Sequence, residues 1–93
     1  MSEQAIQSYI EEHRDRFMEE LKEYLRIPSI STDSEHKEAV RRCALWLKEH
    51  LDGIGIDTVE VEETDGHPIV YAEHCNKPDA PTVLVYGHYD VQP

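Results

Sequence analysis

Apolar side chains recur at three- and four-residue intervals from about Glu3 to Leu25: Ile6, Tyr9, Ile10, Phe17, Leu21, Tyr24 and Leu25, with Glu, Lys and Arg between them. That period predicts one amphipathic helix. Pro28 lacks an amide donor and disfavours helical geometry at Ile27, so the helix should end before it and Ser29–Ser34 should connect. A second stripe follows, made of Val40, Cys43, Ala44, Leu47 and Leu51, with Trp46 beside it as edge packing. Thr32, Asp33 and Ser34 carry side chains that cap free amides, and Thr32-x-x-Glu35 fits a capping box, which places the second helix start there. Gly53 or Gly55 can take the left-handed conformation that ends it.

The period then falls to two. Val59 and Val61 alternate with Thr58, Glu60 and Glu62, Asp65-Gly66 marks a turn, and a β-rich run covers Ile69 to Cys75, so a hairpin with one wet face is predicted. After Asn76–Pro81, the run Thr82–Tyr86 has no polar alternation, as expected of a strand covered on both faces. The predicted class is α/β: two amphipathic helices, then a β-hairpin and a buried strand, part of a larger mixed sheet. A buried central strand needs neighbours on both edges and layers on both faces. Two helices and three strands do not supply them, so residues 1–93 read as one incomplete part of a domain. Alone, the chain should be poorly stable or self-associate through exposed sheet edges.

The net charge of −11 removes several function classes. Residues 1–50 hold 8 basic and 11 acidic side chains, and residues 51–93 hold 1 and 9, so no cluster of Lys and Arg exists to bind phosphate. Nucleic acid and anionic membrane are not expected partners. No stretch approaches the roughly 18 apolar residues of a membrane span, and Met1 is followed by Ser-Glu-Gln rather than a signal peptide pattern. A soluble, cytoplasmic protein is the expectation. Cys43 and Cys75 show neither a disulfide framework nor a Cys-x-x-Cys spacing, and both are read as reduced packing residues.

Candidate chemistry sits at Val83-Leu84-Val85-Tyr86-Gly87-His88-Tyr89-Asp90-Val91-Gln92-Pro93, where an apolar run delivers a histidine and an aspartate. Open ends of α/β sheets are where ligand sites lie, and neutral imidazole is a good zinc ligand when a carboxylate holds its second nitrogen. In extended backbone residues i and i+2 point to one side, so Asp90 can reach His88 locally. On spacing alone the pair is also compatible with a solvated strand-end ion pair.

Together with Ile27-Pro28-Ser29-Ile30-Ser31 after a long first helix and with the second amphipathic helix, this terminal motif resembles the amino-terminal part of the two-zinc amidohydrolases. That family includes acetylornithine deacetylase, succinyl-diaminopimelate desuccinylase, aminoacylase and the carnosine-type dipeptidases; Tyr89 and Gln92 resemble the dipeptidase branch most. The resemblance implies a zinc-exopeptidase catalytic domain. It implies that His88 is the first metal ligand and Asp90 the active-site aspartate that orients it. It further implies two zinc ions, with manganese or cobalt as substitutes, a short peptide substrate and a homo-oligomer. Two zinc ions would hold and ionise a water that a glutamate deprotonates for attack on a peptide carbonyl. The bridging aspartate, Glu-Glu pair and further ligands of the family have no counterpart in these residues, so the chain alone is expected to be inactive.

Other groups have plainer roles. His13 falls on the helix stripe, His36 near a helix start, His50 near a helix end and His67 in a turn before Pro68. His74 with Cys75 is the one alternative soft metal pair, although strand neighbours point to opposite faces. Glu11-Glu12, Glu19-Glu20 and Glu62-Glu63 read as solvated faces, and Ser29 and Ser31 as connector or capping residues. The competing reading of the whole is a complete, non-catalytic α/β interaction module that pairs its open sheet edge with another chain.

Overall fold

The computed structural model of the protein describes residues 2–93. Helices α1 (Glu3–Glu12) and α2 (Arg14–Leu25) are followed by a 3₁₀ turn at Ser34–His36, helix α3 (Lys37–Gly53) and strands β1 (Thr58–Glu62) and β2 (Ile69–Glu73). The α/β class is as the pattern predicts. The single first helix is instead two, divided at His13, whose φ of −112° and ψ of 13° leave the helical region. No Gly or Pro marks this break, and the ladder is barely interrupted: His13 still donates to the Tyr9 carbonyl at 3.1 Å and accepts from Phe17 at 2.9 Å. The His13 ring packs edge-on against Tyr9 with centroids 4.3 Å apart.

Ser2 caps α1 by accepting from the Ala5 amide, and Asp33 caps the 3₁₀ turn by accepting from the Glu35 amide. Asp33 thus takes the capping place within the predicted Thr32–Ser34 window. At the other end of α3, Gly55 has φ +93°, the Ile56 amide reaches the Leu51 carbonyl and the Gly55 amide reaches Asp52. These two bonds form a Schellman ending, which requires the left-handed residue that glycine supplies.

The core lies where α3 covers the hairpin. Ala39, Val40, Cys43 and Ala44 on α3 and Val59 on β1 are buried, and Leu47 and Leu51 are half-buried. The strands pair antiparallel with Val59 opposite Ala72 and Val61 opposite Val70, so the predicted hairpin and its wet Glu60–Glu62 face are present. Arg41 on α3 pins the loop after β1 through a bidentate contact with Glu63 at 2.7 and 2.8 Å. Helix α2 meets α3 through Tyr24, Trp46 and His50: Trp46 lies flat on His50 at 5.2 Å and donates to Glu23.

Two expectations need correction. Thr82–Tyr86 is not a buried strand here; it pairs with nothing among the described residues, and Val83 to Tyr86 are 83–91% exposed. The sequence signal concerns burial on both faces, and among the described residues the sheet has two strands, with no further element paired to this run. Cys75, read as a packing residue, is exposed beyond the end of β2, whereas Cys43 is fully buried. The radius of gyration is 15.5 Å. A compact 93-residue domain would have about 12 Å.

Candidate metal-ligand site

His88, Tyr89 and Asp90 are held by the connector between α2 and the 3₁₀ turn. That connector is built of tight turns, with the Ser29 amide on the Ile27 carbonyl and the Ile30 amide on the Pro28 carbonyl, both at 2.8 Å, and the hydroxyls of Ser29 and Ser31 both reach the segment at residues 89–90. Ser29 is fully buried; its hydroxyl donates to the Tyr89 carbonyl at 2.9 Å, and its own carbonyl accepts from the Val91 amide at 3.0 Å. Cys43 Sγ donates to the same Tyr89 carbonyl at 3.6 Å. The Tyr89 hydroxyl reaches the buried Pro68 carbonyl at 2.6 Å. Backbone on both sides of Asp90 is therefore fixed against α3 and the hairpin loop.

On this platform Asp90 engages both oxygens. Oδ1 meets His88 Nδ1 at 2.6 Å, and Oδ2 accepts from the Ser31 hydroxyl at 2.5 Å. The two contacts, Ser31 first and His88 second, hold the Asp90 carboxyl below the usual carboxylate range. An ionised carboxylate has no proton to give, so His88 Nδ1 must carry the shared hydrogen. Nε2 is then the ring nitrogen with a free lone pair, on a side chain that is 80% exposed. This is the tautomer and presentation a metal-binding imidazole needs.

Burial, acting first, raises the Cys43 thiol above its ordinary value. Burial also raises the Tyr89 phenol, which keeps it a neutral donor to Pro68. The other histidines are elsewhere. His36 pairs with Asp33 at 2.8 Å, His50 with Glu20 at 3.3 Å and His74 with Asp57 at 3.3 Å. His67 Nε2 lies 2.8 Å from the Ser31 carbonyl, so it supports the connector rather than serving only the turn. Among the described residues no three His, Cys, Asp or Glu side chains converge as a metal site, the His74–Cys75 pair included.

The predicted pair is thus together, and the residues the pattern did not single out are its supports. The pattern gives Ser29 and Ser31 only connector or capping duty. Their contacts with Tyr89 and Asp90 span 60 and 59 residues, so no local pattern announces them.

No family model matches the chain. It is 34% identical to the Cys-Gly metallodipeptidase DUG1 of Candida albicans over 102 aligned positions, covering 97% of this chain and 21% of that protein. It is 37% identical to the Beta-Ala-His dipeptidase of Rattus norvegicus, covering 91% of this chain and 20% of that protein. Its fold matches the solved structure of the dipeptidase Dug1p from Saccharomyces cerevisiae with a TM-score of 0.82 at 28% identity, over 90% of this chain and 20% of that one. Over nearly its whole length the chain is similar to metallodipeptidases.

It spans about a fifth of the length of the metallodipeptidases it matches. For a metal site the donor chemistry here fits in part: His88 presents one imidazole in contact with Asp90, whose two oxygens are engaged by His88 and Ser31. A catalytic zinc commonly takes three protein ligands, so the metallodipeptidase centre needs donors beyond those gathered here.

Proposed function

We propose that this chain contributes the first metal ligand, His88, and its orienting carboxylate, Asp90, to the two-zinc centre of a dipeptidase that hydrolyses the amide bond of short peptides. The observation that carries the reading is the 2.6 Å contact between His88 Nδ1 and Asp90 Oδ1, which leaves Nε2 free on an exposed ring. A divalent ion held there would supply Lewis acidity toward a water and a peptide carbonyl. Asp90 holds the Nδ1 proton and fixes the orientation of the ring; Ser29, Cys43 and Tyr89 keep the backbone at that position from moving. Imidazole ligands also accept manganese or cobalt, with cellular supply deciding.

The reading is preferred to a self-sufficient interaction module because Val83–Tyr86 stands exposed beside the site and the chain is more expanded than a compact domain of its length. With a single imidazole donor, the 93-residue polypeptide alone turns over no dipeptide.

The test is His88→Ala in the intact protein, with Cys-Gly and β-Ala-His as trial substrates. Bound metal, measured by elemental analysis, should fall and turnover should be lost. Asp90→Asn should weaken metal binding by about 10–100-fold. Unchanged metal content and activity in His88→Ala would remove His88 from the centre.

A further inference from the structure

We propose that Ser31 is a positioning residue for the metal ligand: its hydroxyl fixes the Asp90 carboxylate so that one oxygen is aimed at His88 Nδ1 and the other is withheld from the metal. The inference rests on the reading of His88 as a ligand. It concerns a residue 59 positions away from Asp90 in the chain.

A carboxylate on a single methylene rotates freely about its terminal torsion unless both ends are held. Among the described residues, the side chains that donate to Asp90 are Ser31 and His88 alone. His88 is 80% exposed, and among the described residues its ring is hydrogen-bonded by Asp90 alone, so it follows the carboxylate rather than setting it. Ser31 is well placed to set it. Its carbonyl is 2.8 Å from His67 Nε2, the Asp33 amide closes a turn on Ile30 at 3.2 Å, and Ser29 two residues back pairs with Val91. The order of constraint therefore runs from the His67 loop to Ser31, to Asp90, to His88.

Engagement of Oδ2 has a second consequence. A free carboxylate oxygen close to a cation would itself ligate. With Oδ2 taken by a hydroxyl and Oδ1 by the ring, Asp90 remains an orienting group.

The discriminating experiment reads the His88 tautomer by ¹⁵N NMR in the intact, metal-free protein, above the pH at which the ring protonates. The native protein should show predominantly the Nδ1–H form. Ser31→Ala should lower the ratio of Nδ1–H to Nε2–H by about fivefold or more, the scale of one charge-assisted hydrogen bond. Ser31→Thr should restore it, and Ser31→Val, which has threonine's shape without the hydroxyl, should behave as Ser31→Ala does. Leu47→Ala serves as the structural control: truncating a half-buried side chain of α3 away from the site should lower the melting temperature and leave the ratio unmoved. Cobalt affinity, followed by visible absorption, should weaken by about three- to tenfold in Ser31→Val relative to Ser31→Thr. Equal tautomer ratios in the Thr and Val variants would overturn the proposal, even if both were less stable. If instead His88→Ala left metal binding intact, the ligand role would fail while the tautomer ratios still decided whether Ser31 orients the ring.

Discussion

Ser29 and Tyr89 are sixty residues apart and joined by a 2.9 Å hydrogen bond from a fully buried hydroxyl to a backbone carbonyl. Ser29→Ala leaves that carbonyl with only the weak 3.6 Å contact to Cys43 Sγ. Removing one partner of a buried pair costs about 1–3 kcal/mol, because the remaining group keeps its desolvation penalty. Urea denaturation of the variant should show a loss in that range with an unchanged slope. A loss below about 0.5 kcal/mol, the level of an ordinary surface substitution, would show that the clamp is not a stability element.

The two cysteines should differ in reactivity. Cys43 is buried against Ser29 and the Tyr89 carbonyl, and burial raises its thiol, so little thiolate forms at neutral pH; Cys75 is exposed beyond β2. Thiolate is the nucleophile, so brief treatment with iodoacetamide at pH 7.5 should modify Cys75 and spare Cys43 until the protein is unfolded. Peptide mapping reads the result. Early labelling of Cys43 would mean that the packing between α3 and the Tyr89 segment opens readily.

How the sequence conveyed these features depended on the range of the interaction. Val40, Cys43 and Ala44 were legible as a buried stripe because helical period is local, and the hairpin was legible from the alternation at Val59 and Val61. A glycine ending of α3, at Gly53 or Gly55, and the proximity of His88 to Asp90 were legible for the same reason, and the structure places the left-handed residue at Gly55. The division at His13 was not, since no breaker residue announces it. Ser31 was not legible as a partner of Asp90, because 59 residues separate them and only the folded connector brings them together. Thr82–Tyr86 is the instructive case. Its composition reports how the run is to be buried, and burial is decided by neighbours rather than by the run itself.

Acid should loosen the tie between α3 and the hairpin. The Arg41 guanidinium beside Glu63 holds that carboxyl below its ordinary value of 4.5. A folded-state value below the unfolded one means that the contribution is fully present above about pH 4.5 and is lost as the pH falls through the lower, folded value. Both side chains are exposed, so the effect is small and screened by salt. Comparing Tm for the native chain and Glu63→Gln across pH 2–7 at low ionic strength, the gap should be constant near neutrality and close in acid. A gap that widened on acidification would reverse the sign and remove Arg41 as its cause.

The exposed run Val83-Leu84-Val85-Tyr86 leads to the sharpest difference between this polypeptide alone and the intact protein. Four consecutive apolar side chains at 83–91% exposure, on backbone that pairs with no strand among the described residues, offer both apolar surface and a free row of donors and acceptors. Full burial of a Val or Leu side chain is favourable by about 1.5–3 kcal/mol, enough over such a run to drive association. The isolated 93-residue polypeptide should therefore bind a hydrophobic dye and sediment as concentration-dependent oligomers. Leu84→Lys should weaken both, because a charge on the run opposes its burial and its pairing. In the intact protein the same amides should be among the slowest to exchange with deuterium, and Leu84→Lys should destabilise the fold rather than solubilise it. A polypeptide that stays monomeric at high concentration without binding dye would show that the run needs no partner.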